Sequence, residues 1–337
     1  MITRRSALLG AVSGAAAGLV GARSARAEPI TLKVSHYLPP NHTFHRELMT
    51  WGDSLNDQSQ GQLTVNIFPA SQLGPVNRQF DMVRNGVVDI AVGLHGATPG
   101  RFPMTDLVSL PYSTPEGGSN SGLTSRRLTE LAPTYLAAEH AGMKILWMAV
   151  TNPLLFHTSK RQIVTVDDFK GLRIRYAGEQ FAQIIPLLGA APLAVPPAET
   201  ADSLAKGIID AATFPYEACQ SFDLGSVLKY SLEPGVSTAT FAVAMNPNKF
   251  KALPPELQQL IDKTTGPAMA EHFGSAFDVS EKLGRDYMQA KGVRISKLSD
   301  IELSRVKEIL APLKGKALAE FEKAGKPGKA FLDAYTQ

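Results

Sequence analysis

Asp167-Asp168-Phe169-Lys170-Gly171-Leu172-Arg173-Ile174-Arg175-Tyr176 is followed, after a short helical pattern, by the small-residue loop Leu188-Gly189-Ala190-Ala191-Pro192. Leu172 and Ile174 alternate with Arg173 and Arg175, which is the period of a strand with one buried face. In an open α/β sheet, ligands bind outside the carboxyl ends of the strands. Arg175 lies at that end, where a guanidinium fork can hold a carboxylate bidentately. An arginine on a strand is more often solvated or paired, so the strand alone does not make a site.

Working outward, similar units recur on both sides. Ile30 to His36 alternates like a strand, a helical pattern runs from Phe44 to Leu55, and Leu63 to Phe68 is a second strand. A helix from Asn77 to Arg84 then leads through Gly86 to a strand over Val87 to Val92. Downstream, Lys144 to Ala149, Leu154 to Thr158 and Leu172 to Tyr176 read as strands. Helices follow over Glu179 to Leu188 and Thr200 to Lys206. Arg84-Asn85-Gly86-Val87-Val88-Asp89 is echoed by Lys206-Gly207-Ile208-Ile209-Asp210: a helix end, a glycine, and a strand carrying one Asp. Strands alternating with helices at this spacing predict an α/β protein of two similar lobes, each a mainly parallel sheet flanked by helices. Beyond Tyr230 one more strand is expected, Phe241 to Met245, and the charged remainder to Gln337 reads as helices packed outside.

Residues 1–27 read as an export signal. Arg4-Arg5 make a basic start, Ala7 to Val20 is apolar and rich in Ala and Gly, and Ala25-Arg26-Ala27 fits cleavage after Ala27. Thr3-Arg4-Arg5-Ser6 suits either ordinary secretion or the twin-arginine route. That segment carries four arginines and no acid, so its removal takes the formal charge from +3 to −1. No basic field then remains for nucleic acid or an anionic membrane. Cys219 is the only cysteine, so no intrachain disulfide can form.

Five landmarks in order make the sequence similar to the solute-binding proteins of TRAP (tripartite ATP-independent periplasmic) transporters. They are the Asp167–Tyr176 segment, Phe68-Pro69-Ala70-Ser71-Gln72-Leu73-Gly74, Gly86-Val87-Val88-Asp89-Ile90-Ala91, Gly207-Ile208-Ile209-Asp210-Ala211, and Met245-Asn246 followed by Leu253-Pro254-Pro255-Glu256-Leu257. The resemblance covers nearly all of residues 30–310. It implies a two-lobed periplasmic fold with a hinge and a long connecting helix, with 28–151 and 241–279 as lobe I and 152–240 and 280–337 as lobe II. It also implies capture of a small organic acid in the cleft by Arg175, and docking on integral membrane subunits. A monomer without catalysis, metal or cofactor is expected.

Departures from the family pattern narrow the ligand. Leu154 stands where many members carry a second arginine, and Phe214 where an amide is common. Leu94 adds another apolar neighbour. Tyr37, Tyr176 and Tyr216 can add aromatic surface, and His95 and Tyr216 can serve a ligand oxygen. Glu217 beside a carboxylate would repel it unless it pairs with Arg175, takes a ligand hydroxyl or holds a cation. The expected ligand is a monocarboxylate with a compact apolar or aromatic body, with or without a 2-hydroxy or 2-oxo group.

Other readings are weaker. His42-Thr43-Phe44-His45 spaces two histidines as a chelate would, but reads better as a loop entering a helix. Gly118-Ser119-Asn120-Ser121-Gly122 has Asn120, not serine, at its centre, so it is no nucleophile elbow. A periplasmic hydrolase or lyase therefore lacks its motif. A sensory protein presenting the acid to a membrane receptor remains the alternative.

Overall fold

A computed structural model describes residues 28–113, 120–176 and 178–337; the expected export signal lies outside the described residues. Lobe I carries the strands β1 (Ile30–Ser35), β2 (Leu63–Phe68), β3 (Ile90–Leu94), β4 (Lys144–Val150) and β10 (Thr240–Met245) in the order β2-β1-β3-β10-β4. Lobe II carries β5 (Leu154–Thr158), β6 (Arg173–Tyr176), β7 (Ala191–Ala194), β8 (Ala211–Phe214), β9 (Tyr230–Ser237) and β11 (Arg294–Lys297) in the order β11-β9-β5-β8-β6-β7. Pairings that close a β–helix–β unit are parallel, as between β1 and β3 or β6 and β8. Strands arriving from the other lobe, β10 and β5, pair antiparallel with both neighbours.

The echo seen in the sequence is physical. Gly86 and Gly207 both take left-handed backbone (φ 72° and 68°), which lets each helix turn straight into its strand. The Asp that follows then bonds the neighbouring strand. Lys33 N donates to Asp89 Oδ2 at 2.8 Å, and Arg173 N donates to Asp210 Oδ2 at 3.0 Å. Because Val87 and Val88 are spent in that turn, both donating to Met82 O, β3 starts at Ile90 and not at Val87.

The helix Pro267–Ala290 spans both lobes and joins them by one device used twice. Asp278 accepts from Ser121 N (3.1 Å) and Gly122 N (3.4 Å) at the start of the lobe I helix Ser121–Leu131. Glu281 accepts from Tyr216 N and Glu217 N, both at 2.9 Å, at the start of the lobe II helix Tyr216–Ser221. A carboxylate at a helix start satisfies orphan N–H groups and meets the positive end of the dipole. Glycine makes the approach possible. A Cβ on Gly274 would lie 2.2 Å from Ser121 O, and one on Gly284 would lie 2.3 Å from Tyr216 O. Gly284→Ala therefore forces two backbones apart with no flexible side chain to yield. We expect a loss at the upper end of the ~1–3 kcal/mol typical of overpacking; an unchanged urea midpoint would contradict this close-packed joint.

The C-terminal segment departs from expectation in two ways. It contains β11, a short edge strand beside β9, so it is not wholly helical. It also does not stay on lobe II. The helix Asp300–Lys323 gives Val306 and Leu310 to the lobe II core, then packs Leu318 and Phe321 against lobe I. The final helix Gly328–Thr336 buries Phe331, Leu332 and Tyr335 among Phe80, Phe102, Leu128 and Met148 of lobe I. The division that assigned 280–337 to lobe II is corrected accordingly: the last helix rests on the lobe that holds β1.

Candidate functional site

β6 has helices and strands on every side, and its burial changes along its length. Arg173 is exposed and ion-paired with Asp210 (2.9 Å), whereas Arg175, two residues on, is 1% exposed. Arg175 Nε donates to Val195 O at 3.0 Å and Nη1 to Thr213 O at 3.1 Å. The Phe214 ring lies under the guanidinium, 4.0 Å from Cζ to the ring centre. These contacts fix the fork's plane and leave donors over. Burial pushes its pKa down to about 9, so it stays charged at neutral pH. Among the described residues no carboxylate pairs with it.

An uncompensated buried cation is costly, and it opens on a cavity between the lobes. The cavity is compact, about 50 Å³. Leu38, Leu94, Leu154, Phe214, Phe222, Ala239, Phe241 and Phe277 supply its apolar wall, and Tyr37, His42, Thr151 and Glu217 its other polar groups. Phe44, Phe273 and Phe277 pack as a buried aromatic cluster behind it, with ring centres 4.5–5.7 Å apart. Where the chain crosses between lobes, Thr151 N donates to Ala239 O (2.9 Å) and Ala239 N to Thr151 Oγ1 (3.0 Å).

The lobes also touch away from the cavity lining. A Cβ on Gly96 of lobe I would sit 2.4 Å from Gly178 Cα of lobe II, and Gly100 N donates to Glu179 Oε2 at 2.9 Å. Glu217, 3% exposed, accepts from Thr43 N (3.0 Å), Thr43 Oγ1 (2.8 Å) and Ser221 Oγ (3.1 Å) on Oε1, and from His42 Nε2 (3.2 Å) on Oε2. Thr43 opens the helix Thr43–Gln58, so the carboxylate also faces a helix dipole. His42 Nδ1 accepts from Phe44 N, which places its proton on Nε2 toward Glu217. Burial holds the His42 pKa low.

Of the residues picked from the sequence, Arg175, Phe214, Leu154, Leu94, Tyr37 and Glu217 line the cavity together. Three do not. His95 is buried under Phe102, with Nδ1 against Thr240 Oγ1 and Nε2 against His140 Nε2, both at 3.0 Å, so neither ring nitrogen is open to a ligand. Tyr216 turns away, its hydroxyl donating to Glu233 at 3.1 Å. Tyr176 packs beside the lobe II core. His42 does begin the helix, as its loop reading implies, and His45 bonds His36 at 3.0 Å. Phe222, Phe241, Phe277 and Thr151 were not singled out in the sequence.

The family described as bacterial extracellular solute-binding protein, family 7 (DctP) matches residues 34–320. Among solved structures, a TRAP solute-binding protein from Rhodoferax ferrireducens T118 in complex with copurified benzoate superposes with a TM-score of 0.86 at 29% identity, covering 91% of this chain and 96% of that one. A Bordetella bronchiseptica TRAP periplasmic protein with bound (R)- and (S)-mandelate gives 0.84 at 28%, covering 91% and 98%. The C4-dicarboxylate-binding periplasmic protein DctP of Rhodobacter capsulatus is 23% identical over 316 residues, 93% of each chain. The extent of the family match, with two lobes closed around a buried arginine, leads to one assignment: the chain belongs to the family 7 extracellular solute-binding proteins, the binding component of TRAP transporters.

Proposed function

We propose that this protein captures a monocarboxylate with a compact apolar or aromatic body and delivers it to the membrane subunits of a TRAP transporter. The observation that carries the reading is the pairing of one buried guanidinium that no carboxylate of the described residues meets with a wall that is mainly aromatic and aliphatic. Arg175 takes the carboxylate, Phe214 stacks beneath it, and Leu94, Leu154, Phe241 and Phe277 enclose the body. A second carboxylate would meet no cation in the cavity and would face Glu217, a cost of several kcal/mol that ~25 cal/mol per Å² of apolar contact does not offset. The benzoate and mandelate bound by two relatives support the aromatic body. The dicarboxylate named for the Rhodobacter protein speaks for a different side of the family. The mechanism is binding, with the lobes excluding water.

The test is a melting screen on protein unfolded and refolded to strip copurified ligand. An acid present at ~100 times its dissociation constant adds about 2.7 kcal/mol of stability. Benzoate, phenylacetate, mandelate and branched 2-oxo acids should raise the melting temperature more than succinate, malate or hexuronates. Shifts with the latter group alone would reject the proposal.

A further inference from the structure

We infer that the cavity has a second polar pole, made by the Tyr37 hydroxyl and Glu217 Oε2, which selects acids bearing a hydroxyl group over their unsubstituted parents. The inference rests on the reading that Arg175 holds a ligand carboxylate, and it names what the other end of that ligand carries.

The two oxygens of Glu217 are unequally used. Oε1 already accepts from Thr43 N, Thr43 Oγ1 and Ser221 Oγ, whereas Oε2 accepts only from His42 Nε2. A carboxylate oxygen has room for two donors, so Oε2 keeps one acceptor direction in a wall that is otherwise nearly all hydrocarbon. Tyr37 is 7% exposed, lines the same cavity, and its hydroxyl makes no hydrogen bond with a described residue. The hydroxyl is not among the sealed, unpartnered oxygens, so on this lining residue it is open to the cavity and available to a ligand oxygen.

Tyr37 also lies within the fields of both Arg175 and Glu217, while burial dominates and pushes its pKa up, keeping it a neutral donor and acceptor. The wall thus holds a cation, a neutral hydroxyl and a carboxylate. A ligand hydroxyl answers both unfilled groups: it donates to Glu217 Oε2 and accepts from Tyr37. The four donors already on Glu217 favour a neutral hydroxyl over an ammonium group, since the charge is largely met. The oxygen handle expected at His95 or Tyr216 is therefore placed here instead.

Calorimetry of refolded protein with phenylacetate, its 2-, 3- and 4-hydroxy derivatives, mandelate and phenylalanine tests this. A site that hydrogen-bonds a hydroxyl discriminates strongly against the analogue that lacks it. At least one hydroxylated acid should bind about tenfold or more tighter than phenylacetate, and the ratio should fall toward one in both Tyr37→Phe and Glu217→Gln. The ratio is the readout, so changes in absolute affinity or in folding of one variant do not decide it. If phenylacetate binds and no hydroxyl improves on it, or the ratio survives in both variants, the second pole is refuted while the carboxylate site stands. Tighter binding of phenylalanine than of every hydroxy acid refutes the neutral-hydroxyl assignment. If no member binds the folded protein, the second pole is refuted, while the monocarboxylate reading stands or falls on benzoate and the branched 2-oxo acids in the melting screen.

Discussion

Arg175→Lys should weaken binding of the ligand acid by at least about tenfold, and Arg175→Met should nearly abolish it while raising the stability of the ligand-free protein. The first effect follows from geometry. Lysine keeps the charge but loses the planar fork that Val195 O and Thr213 O hold in place and the stacking on Phe214. Removing one partner of a desolvated charge pair commonly costs ~2–5 kcal/mol. The second effect is a balance. Methionine strands two backbone carbonyls that now accept from the guanidinium, at ~1 kcal/mol each. It also removes an uncompensated buried charge, whose desolvation penalty is several kcal/mol. The charge wins, so the ligand-free melting temperature should rise. Calorimetry and melting on stripped protein check both halves; unchanged affinity in Arg175→Lys would remove Arg175 from the site.

Legibility in the sequence followed the range of the interactions. β6 and its arginine were readable because a period of two and the strand-end rule are local. Leu154 and Phe214 were readable only through the family resemblance, as apolar departures from its pattern; both sit at strand ends of one sheet, on β5 and β8. β9 was hidden: Glu233-Pro234-Gly235 looks like a chain break, yet the strand passes through it where its register with β5 shifts. His95 was misplaced because, past β3, the chain turns inward and a histidine 45 positions away fills its second nitrogen. The aromatic wall combines Phe222, Phe241 and Phe277 from three distant segments, a juxtaposition no local pattern records. The last helix was legible as a helix, but which lobe it covers is set by the turn before it.

Asp106→Asn should stabilise the protein at pH 8 and leave it unchanged near pH 4. Asp106 is 8% exposed, on the lobe I turn Pro103–Asp106, and its carboxyl makes no hydrogen bond with a described residue. It shares a small interlobe cavity with Glu179 and Gln180, whose Oε1 is buried without a partner. Burial first, then Glu179 and Glu139, push its pKa up to about 7 from 3.8. Glu139 is itself pushed up by burial, while Thr105 N and Oγ1 (3.1 and 2.9 Å) hold it in place. An acid with a raised folded pKa binds its proton more tightly folded than unfolded. Its contribution is therefore fully present below the unfolded value and lost as pH rises through about 7. Three pKa units correspond to ~4 kcal/mol at most, and Asn carries no such loss. The buried histidines, lowered by burial, act in the opposite direction below pH 6.5 but do so equally in both proteins. The difference in melting temperature between variant and parent should thus open from pH 4 to pH 7 and level off above it. Glu179 belongs to the other lobe, so the repulsion is strongest when the lobes are together; ligand should bind the parent more tightly at pH 6 than at pH 8, and the difference should shrink in the variant, where Glu281, also raised to about 7 by burial, remains. A melting difference that stays constant with pH would mean that Asp106 is ionised in the folded protein throughout this range.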